Sequence, residues 1–350
     1  MSAAPDPGLA TGKIVYPWDT PPELGEAIKV ADGILWMRLP LPMALDHVNV
    51  YALRDGEGWC VVDTGFDTSR TRTIWEGLMR GPLGGLPVTR VLVTHHHPDH
   101  VGLAGWFQER GADLLTTRTA WFMARMLTLD EQAVPAPETM RFWRRAGMEP
   151  AEIEARAAER PFNFADVVAP MPLGFTRIRE GDDVEIGERH WTVRTGGGHA
   201  PEQATLWCRQ DNLVLGADAL LPGISPNIGV YATEPEADPL SDWLTSCEEL
   251  GAHATDDLLV LPGHKLPYTG LPHRLRQLRE NHERALERLR EWLAVPRAAS
   301  ECFEPLFGRA IRKPEYGLAL VEAVAHLNHL HQMGEATRDE TGEPWLWRMA

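Results

Sequence analysis

The sequence predicts a layered α/β fold with a smaller, helical part at its C-terminal end. Short apolar runs typical of buried strands, such as TRVLVT at residues 89–94, alternate with stretches of helical spacing, such as SRTRTIWEGLMR at residues 69–80. Several of these runs end in turns that carry glycine, histidine or aspartate. The chain has 350 residues, which is enough for one large domain and a small one.

The first elements follow from local patterns. Residues 1–27 are rich in Pro, Gly and Ala, and we predict an N-terminal tail there. GILWMRLPLP is typical of a strand, and NVYALRDGEGWCVVDTGF is typical of two strands joined by a turn. After the strand at 89–94, PDHVGLAGWFQERG has helical spacing with a proline near its start, so we expect a helix there.

A helical insertion is predicted from about residue 114 to 160, after which strands return. FTRIREGDDVEIGERHWTVRTGGGH, ATLWCRQDNLVLGADALLP and DDLLVLPGH all contain strand patterns. We therefore expect one catalytic domain over residues 28–270. Residues 271–350 are predicted to form a charged amphipathic helix followed by a small domain that ends in two short strands around a polar turn.

Composition narrows the classes of function. The 34 Lys and Arg against 50 Asp and Glu give a net charge of −16, which disfavours nucleic acid or anionic lipid as a partner. No stretch has the length and apolarity of a membrane span, and the N-terminus lacks the pattern of a secretory signal. The cysteines are widely spaced, which favours free buried thiols and a cytoplasmic location. They are Cys60, Cys208, Cys247 and Cys302.

The segment VLVTHHHPDH places four histidines and one aspartate at the end of a predicted strand. In an extended chain His95 and His97 point to the same side and His96 points away. Asp99 and His100 lie where the chain turns into the next helix, so they can reach a second point nearby. Imidazole and carboxylate are ligands for zinc, and also for iron or manganese. The segment therefore offers two ligands to each of two metals.

Further ligands are expected at other strand ends. His199 follows three glycines after WTVRT, Asp218 follows LVLGA, and His264 follows DDLLVLPG. Each alone would be an ordinary polar residue at the end of a strand. Together with the histidine segment they indicate a metal centre.

This ordered set resembles the metallo-β-lactamase-fold hydrolase superfamily, over roughly residues 30–270. The resemblance implies a four-layer αββα sandwich that binds two Zn2+, with Fe or Mn as other options. Asp63, in VDTG, is similar to the aspartate that lies beneath the metals in that family. The implied ligands form two groups and a bridge: His95, His97 and His199; Asp99, His100 and His264; and Asp218.

Two further comparisons with the family concern single segments. Many members read His-Ser/Thr-Pro-Gly/Glu-His after the third histidine, whereas this chain reads His199-Ala200-Pro201-Glu202-Gln203. The ligand is kept, but the hydrogen bonding of the positions after it is left open. The C-terminal LALVEAVAHLNHLHQMGEATRDETGEPWLWR looks like the small winged-helix-like domain of a lactamase-β-like, glyoxalase II-like subgroup.

Two metals in such a site can share a hydroxide, because coordination lowers the pKa of the bound water to about 7. We expect this hydroxide to attack an acyl carbonyl, with Asp99 and Asp218 as the catalytic carboxylates. The predicted activity is hydrolysis of a small-molecule acyl thioester or ester, or of a lactone. Aromatic and Met side chains of the insertion either line an acyl pocket or pack in the core.

Two other functions are open. The winged-helix resemblance favours an endoribonuclease or phosphodiesterase, although the net charge opposes it. Iron at the same ligands would favour an oxidoreductase. Several other residues have open roles: Tyr231 and Tyr268 as oxyanion donors, Lys265 as a site for an anionic leaving group, and His47 as a cleft residue. The remaining histidines are predicted to be ordinary helix residues without a carboxylate (His326, His329, His331) or surface residues (His190, His253, His273, His282).

Overall fold

A computed structural model describes residues 13–350, so the first twelve positions of the predicted tail lie outside the described residues. The rest of that tail lies against the protein. Val15 forms an isolated antiparallel bridge with Thr269, and the ring of Trp18 packs edge-on against Trp36 with 6.4 Å between centroids. From residue 13 to 350, no helix combines the length and apolarity needed to cross a bilayer.

The first sheet has seven strands in chain order. They are β1 (Ile28–Ala31), β2 (Ile34–Pro40), β3 (His47–Asp55), β4 (Gly58–Val62), β5 (Val88–Val93), β6 (Asp113–Thr116) and β7 (Thr176–Arg177). The first four strands pair antiparallel, and β4 to β7 pair parallel. The carboxyl ends of β4 and β5 therefore lie side by side.

The second sheet has five strands in the order β12-β11-β10-β9-β8. They are β8 (Asp183–Ile186), β9 (Arg189–Gly196), β10 (Gln203–Cys208), β11 (Leu213–Ala217) and β12 (Leu259–Pro262). Only β11 and β12 pair parallel. A separate hairpin near the C-terminus consists of β13 (Ala336–Asp339) and β14 (Leu346–Met349).

Ten α-helices lie among residues 13–350. They are α1 (Ser69–Arg80), α2 (Pro98–Val101), α3 (Ala104–Gln108), α4 (Arg118–Leu129), α5 (Pro137–Arg145), α6 (Pro150–Ala157), α7 (Pro239–Gly251), α8 (Leu271–Trp292), α9 (Phe303–Phe307) and α10 (Tyr316–Gln332). The bounds of α1 are those predicted from the sequence, and the Thr68 side chain caps it by accepting from the Thr71 N–H.

Side chains on the two faces of each strand build the αββα layers. Cys60 and Val62 of β4 point into the core between the sheets, where Trp36 and Trp191 are also fully buried. Val61 points the other way, into a core shared with helices α1 and α3. The outer face of the second sheet is covered by α7, α8 and α10. The four-layer fold and the C-terminal part predicted from the sequence are both confirmed.

The helix predicted over residues 98–111 is broken into α2 and α3, so that part of the prediction was wrong. Thr64 causes the break because its N–H and its hydroxyl both donate to the carbonyl of His100, while its hydroxyl oxygen accepts from the N–H of Leu103. Gly102 packs against the backbone here: a Cβ on it would lie 2.3 Å from the carbonyl oxygen of Gly65. The chain therefore turns immediately after the histidine segment.

The insertion is helical from α4 to α6, but residues 114–116 belong to β6. Its large apolar side chains divide between two environments. Trp121 is buried and stacks on Phe175, and Phe142 is buried in the core shared with α10. Phe122 and Met126 of α4 are instead exposed. The outward-facing side chains of α4 are therefore available to contact a ligand.

Candidate metal centre

The predicted ligands follow strands whose carboxyl ends meet at one edge of the sandwich. Asp63 follows β4 and His95 follows β5, which are parallel neighbours in the first sheet. In the second sheet Asp218 follows β11 and His264 follows β12, again parallel neighbours. His199 lies in the loop after β9. The two sheets thus supply ligands to the same edge.

The first ligand group consists of three histidines. Nε2 of His95 lies 3.1 Å from Nδ1 of His97, which lies 3.0 Å from Nε2 of His199. A tetrahedral ion with bonds of about 2.0–2.1 Å needs ligand atoms about 3.3–3.4 Å apart. The three nitrogens therefore fit one metal ion.

The second group joins one carboxylate and two imidazoles. Oδ2 of Asp99 lies 3.5 Å from Nε2 of His100 and 3.4 Å from Nε2 of His264. These distances also match the spacing of ligand atoms around one ion. All three side chains project from short segments at the ends of β5 and β12.

Asp218 joins the two groups. Its Oδ2 lies 3.4 Å from Nε2 of His199 and 3.3 Å from Nε2 of His264, while its Oδ1 lies 3.4 Å from Nε2 of His100. Both Oδ1 of Asp218 and Nε2 of His100 are buried without a hydrogen-bond partner among the described residues. Gly263 leaves them room, since a Cβ there would lie 2.2 Å from Oδ1 of Asp218. Buried atoms of this kind fit a bridged pair of cations.

Protein groups also fix the opposite nitrogen of four of these rings. Such contacts set the tautomer, so that the other nitrogen can bind a metal. The partners of Nδ1 are Thr94 Oγ1 for His95 (3.0 Å), Asp63 Oδ2 for His100 (2.8 Å), the Asn227 carbonyl for His199 (2.9 Å) and the His47 carbonyl for His264 (2.7 Å). The sequence predicted the Asp63 contact through the family resemblance, but neither of the two carbonyls.

The two ligand groups differ in charge. Burial and the neighbouring imidazoles hold the pKa of His95 and that of His97 well below the ordinary histidine value. Burial also opposes protonation of His100, but the carboxylates around it, of which that of Asp99 is the strongest, raise its pKa well above that value. Against the same burial, Asp218 and Asp99 raise the pKa of His264 to about 10. Without metals, His95 and His97 are therefore neutral, whereas His100 and His264 hold protons.

Backbone strain is concentrated at the same edge. Five described residues other than glycine have positive φ, and four lie at the metal centre: Asp63 (59°), Glu202 (54°), Ala217 (43°) and Lys265 (70°). A left-handed conformation of this kind costs a residue with a side chain on the order of 1–3 kcal/mol. Surrounding contacts therefore hold these residues in place.

The segment after His199, which departs from the family pattern, has defined contacts. With its amide oriented to suit its neighbours, the Gln203 oxygen accepts from the N–H groups of Asp218 and Ala219, at 2.9 Å each. The carboxylate of Glu202 accepts from the N–H of Thr119 at the start of α4. Gln203 thus supports the bridging aspartate, and Glu202 ties the insertion to the metal centre.

Of the residues with open roles, His47 and Tyr268 are buried and contact other protein groups. His47 accepts from the Lys265 N–H through Nε2, and burial lowers the pKa of His47 to about 4. Tyr268 is fully buried and donates to the carbonyl of Leu220, so it is not placed to contact an oxyanion. Tyr231 is about half exposed, and within residues 13–350 its side chain makes no hydrogen bond to either ligand group.

A second cluster of potential ligands lies between α8 and α10, where the sequence interpretation was wrong. His282 is buried rather than on the surface, and Glu322 lies beside His326, for which we expected no carboxylate. Nδ1 of His282 lies 3.2 Å from Nε2 of His326, and Nδ1 of His326 donates to the carbonyl of Glu322. The side chains of all three offer ligand atoms within 4.8 Å of one another. His329 is also paired, with Asp238.

Family models place this geometry in a known superfamily. Residues 43–290 match the model of the metallo-beta-lactamase superfamily. The chain belongs to this superfamily. Residues 286–348 match the model of the metallo-beta-lactamase-like C-terminal domain. The matched range of the first model contains all seven predicted ligands.

Individual superfamily members agree with this assignment. A beta-lactamase domain protein from Burkholderia ambifaria is 37% identical, with a TM-score of 0.87 and coverage of 96% of this chain and 97% of its own. A metallo-beta-lactamase family protein from Thermus thermophilus is 27% identical, with a TM-score of 0.77 and coverage of 92% and 100%.

Two relatives carry functional descriptions. YqjP from Bacillus subtilis, described as a probable metallo-hydrolase, is 25% identical over 85% of this chain and 92% of its own length. The acyl-coenzyme A thioesterase MBLAC2 from Gallus gallus is 24% identical over 67% of this chain and 78% of its own length. The protein is thus a metallo-hydrolase of the metallo-beta-lactamase superfamily, with His and Asp clusters suited to divalent metals.

Proposed function

We propose that the protein is a dinuclear zinc hydrolase that cleaves a small-molecule acyl thioester or ester. The observation that carries this proposal is the position of Asp218, whose carboxylate contacts histidines of both ligand groups. One carboxylate between two triads of ligand atoms fits two neighbouring ions better than one. Imidazole and carboxylate at near-tetrahedral spacing favour zinc, although iron and manganese accept the same ligands.

Bound zinc ions would supply a water of lowered pKa and would polarise the substrate carbonyl. The protein contributes the carboxylates around that point. The side chain of Asp99 is 17% exposed, against 8% for Asp218, so it is the more accessible of the two. Burial would raise the pKa of Asp99, but His100 and His264 lower it, so its carboxylate is ionised at neutral pH. Asp99 is therefore placed to accept a proton and pass it to the leaving group.

An exposed apolar face of α4 favours an apolar acyl group. Phe122, Met126 and Leu129 are 57%, 48% and 68% exposed, and their spacing places them on one face of α4. The start of α4 is tied to the segment after His199 through Thr119 and Glu202. The likeness to an acyl-coenzyme A thioesterase agrees with such a substrate.

The proposal extends to the setting of the reaction. We infer a small-molecule substrate rather than nucleic acid, because the net charge of −16 repels phosphate backbones. We also place the protein in the cytoplasm. All four cysteines are free and buried, which suits a reducing compartment.

The first experiment measures metal content per chain and turnover on acyl thioesters, esters and lactones of increasing chain length. We expect about two zinc ions per chain, and loss of both metal and turnover in His97→Ala and Asp218→Ala. The control is His96→Asn, because the ring of His96 stacks on Phe164 and belongs to neither ligand group. Full turnover in His97→Ala would refute the mechanism. Iron with redox activity, or hydrolysis of phosphodiesters alone, would support the other functions.

A further inference from the structure

Helix α10 of the C-terminal part reaches the loop that orients a predicted metal ligand. His199 donates from Nδ1 to the carbonyl of Asn227 at 2.9 Å. Nδ2 of Asn227 in turn donates to Oε2 of Glu322 on α10 at 2.7 Å. The same amide nitrogen lies 3.2 Å from the carbonyl of Leu318, one turn earlier in the helix. Two consecutive hydrogen bonds therefore connect α10 to His199.

Asn227 belongs to a segment, residues 219–230, that we call the strap. The strap starts directly after the bridging Asp218. Near its end, the N–H of Val230 donates to the carbonyl of Val321 on α10. Near its beginning, the buried guanidinium of Arg274 on α8 donates to the carbonyls of Leu221 (2.6 Å) and Ile224 (2.7 Å). Helices outside the metal-binding sheets thus hold the strap at both ends.

The surroundings of Glu322 suit a positional role rather than a charged one. Its side chain keeps some access to solvent, but burial raises the pKa of Glu322 to about 7, against the opposing effect of the Asn227 hydrogen bond. The carboxyl can accept from Asn227 whether or not it is ionised. A glutamine at this position keeps the acceptor oxygen and removes the charge.

We propose that Glu322 and Asn227 are positioning residues that connect the C-terminal helix to His199, so that the C-terminal part sets the metal affinity of the His95–His97–His199 group. The inference rests on the metal centre of the proposed function, but not on the identity of the substrate.

The physical reason lies in the tautomer of His199. A hydrogen bond from Nδ1–H to a fixed carbonyl keeps the proton off Nε2 and aims that nitrogen at the metal. Loss of such an outer partner typically costs about 10–100-fold in metal affinity. Glu322 acts one hydrogen bond further out, so we expect its removal to cost about tenfold, at the low end of that range.

The test uses cobalt titration against a competing chelator, in the full chain with His264→Ala to isolate the three-histidine group. Glu322→Ala is compared with Glu322→Gln and with Asn227→Ala. The matched control is Glu335→Ala, which removes another glutamate of the C-terminal part, one that binds Arg290 of α8 at 2.6 Å and does not touch the strap. Thermal unfolding of each metal-free variant checks that it is folded.

We expect Glu322→Ala and Asn227→Ala to weaken cobalt binding about tenfold and to change the visible spectrum of the bound cobalt. Glu322→Gln and Glu335→Ala should keep the cobalt affinity and the spectrum of the parent protein. Equal cobalt affinity in all variants would overturn the positioning role but would leave the proposed function standing. A loss in Glu322→Gln as large as in Glu322→Ala would also overturn it, because it would make the carboxylate itself a ligand, together with His282 and His326. A protein with its native His264 that takes up no metal would instead overturn the proposed function.

Discussion

Asp63→Asn tests how the protein prepares the second ligand group for a metal. The buried carboxylate of Asp63 accepts from the N–H of Thr94 (2.9 Å), from its hydroxyl, and from Nδ1 of His100 (2.8 Å). An asparagine offers one acceptor oxygen instead of two. If that oxygen serves the Thr94 N–H, the amide NH2 faces Nδ1 of His100. The imidazole must then carry its proton on Nε2, the nitrogen that faces Asp99 and Asp218.

The size of the effect follows from the contact that is lost. A hydrogen bond to a charged group contributes about 1.5–3 kcal/mol. At about 1.4 kcal/mol for each factor of ten, a loss of about 2 kcal/mol weakens metal binding about 30-fold. The loss should fall on the group that contains His100, whereas the three-histidine group should change little.

Stepwise metal titration against a chelator measures both affinities. Asp67→Asn is the matched control, because Asp67 lies four residues further along and pairs with Arg72, away from the ligands. Thermal unfolding of the metal-free proteins separates misfolding from weaker binding. Unchanged affinity at both sites, or an equal loss at both, would contradict the tautomer argument.

Three further predictions follow from the metal centre and its rim. Although burial opposes protonation of His264, Asp218 and Asp99 raise its pKa from about 6.5 in the unfolded chain to about 10 in the folded one. The contribution of His264 to stability is thus complete below pH 6.5 and is lost as the pH rises towards 10. Melting temperatures of metal-free protein should fall over this window, and a flat profile would count against the assignment. Gly198→Ala should destabilise the protein by about 1–3 kcal/mol in denaturant titrations. Gly198 has a φ of 96°, and a Cβ there would lie 2.5 Å from Cβ of Trp243. The control is Gly223→Ala, because a Cβ on Gly223 would have no atom within 4 Å. Phe122→Ser should raise the KM for long-chain acyl thioesters about tenfold, as expected for about 1.5 kcal/mol of lost apolar contact. The KM for short-chain acyl thioesters should not change. An equal rise in both KM values would exclude α4 from the acyl site.

The elements and the ligand set could be predicted because their signals are local. Helix α1 has a regular apolar period, and the strand before the histidine segment is a short apolar run rich in Val and Leu. The ligands stand out because histidine or aspartate follows the ends of the predicted strands within a few residues. The structure brings all seven within the spacing of two metal sites, while metal binding itself stays a prediction.

Contacts between distant segments could not be predicted in this way. The amide of Asn227 meets Glu322 across 95 positions, and neither residue lies in a distinctive pattern. His282 is one polar residue on a charged helix, and only the packing of α10 against α8 buries it. The break after α2 likewise depends on Thr64, which belongs to the loop after a different strand.

The strained residues suggest how the metal centre keeps its geometry. Three of these residues lie at the ends of strands: Asp63 after β4, Ala217 at the end of β11 and Lys265 shortly after β12. Each has a left-handed backbone. Ala217 and Lys265 are next to the predicted ligands Asp218 and His264, and Asp63 contacts His100. At about 1–3 kcal/mol each, such strain persists only where other contacts fix the chain, as the three hydrogen bonds to the backbone of Lys265 do. The ligand atoms are therefore held at metal-binding distances by the protein itself. A frame of this kind needs little rearrangement when a metal binds, so changes in its outer supports, such as Asp63 or Glu322, should alter metal affinity before they alter the fold.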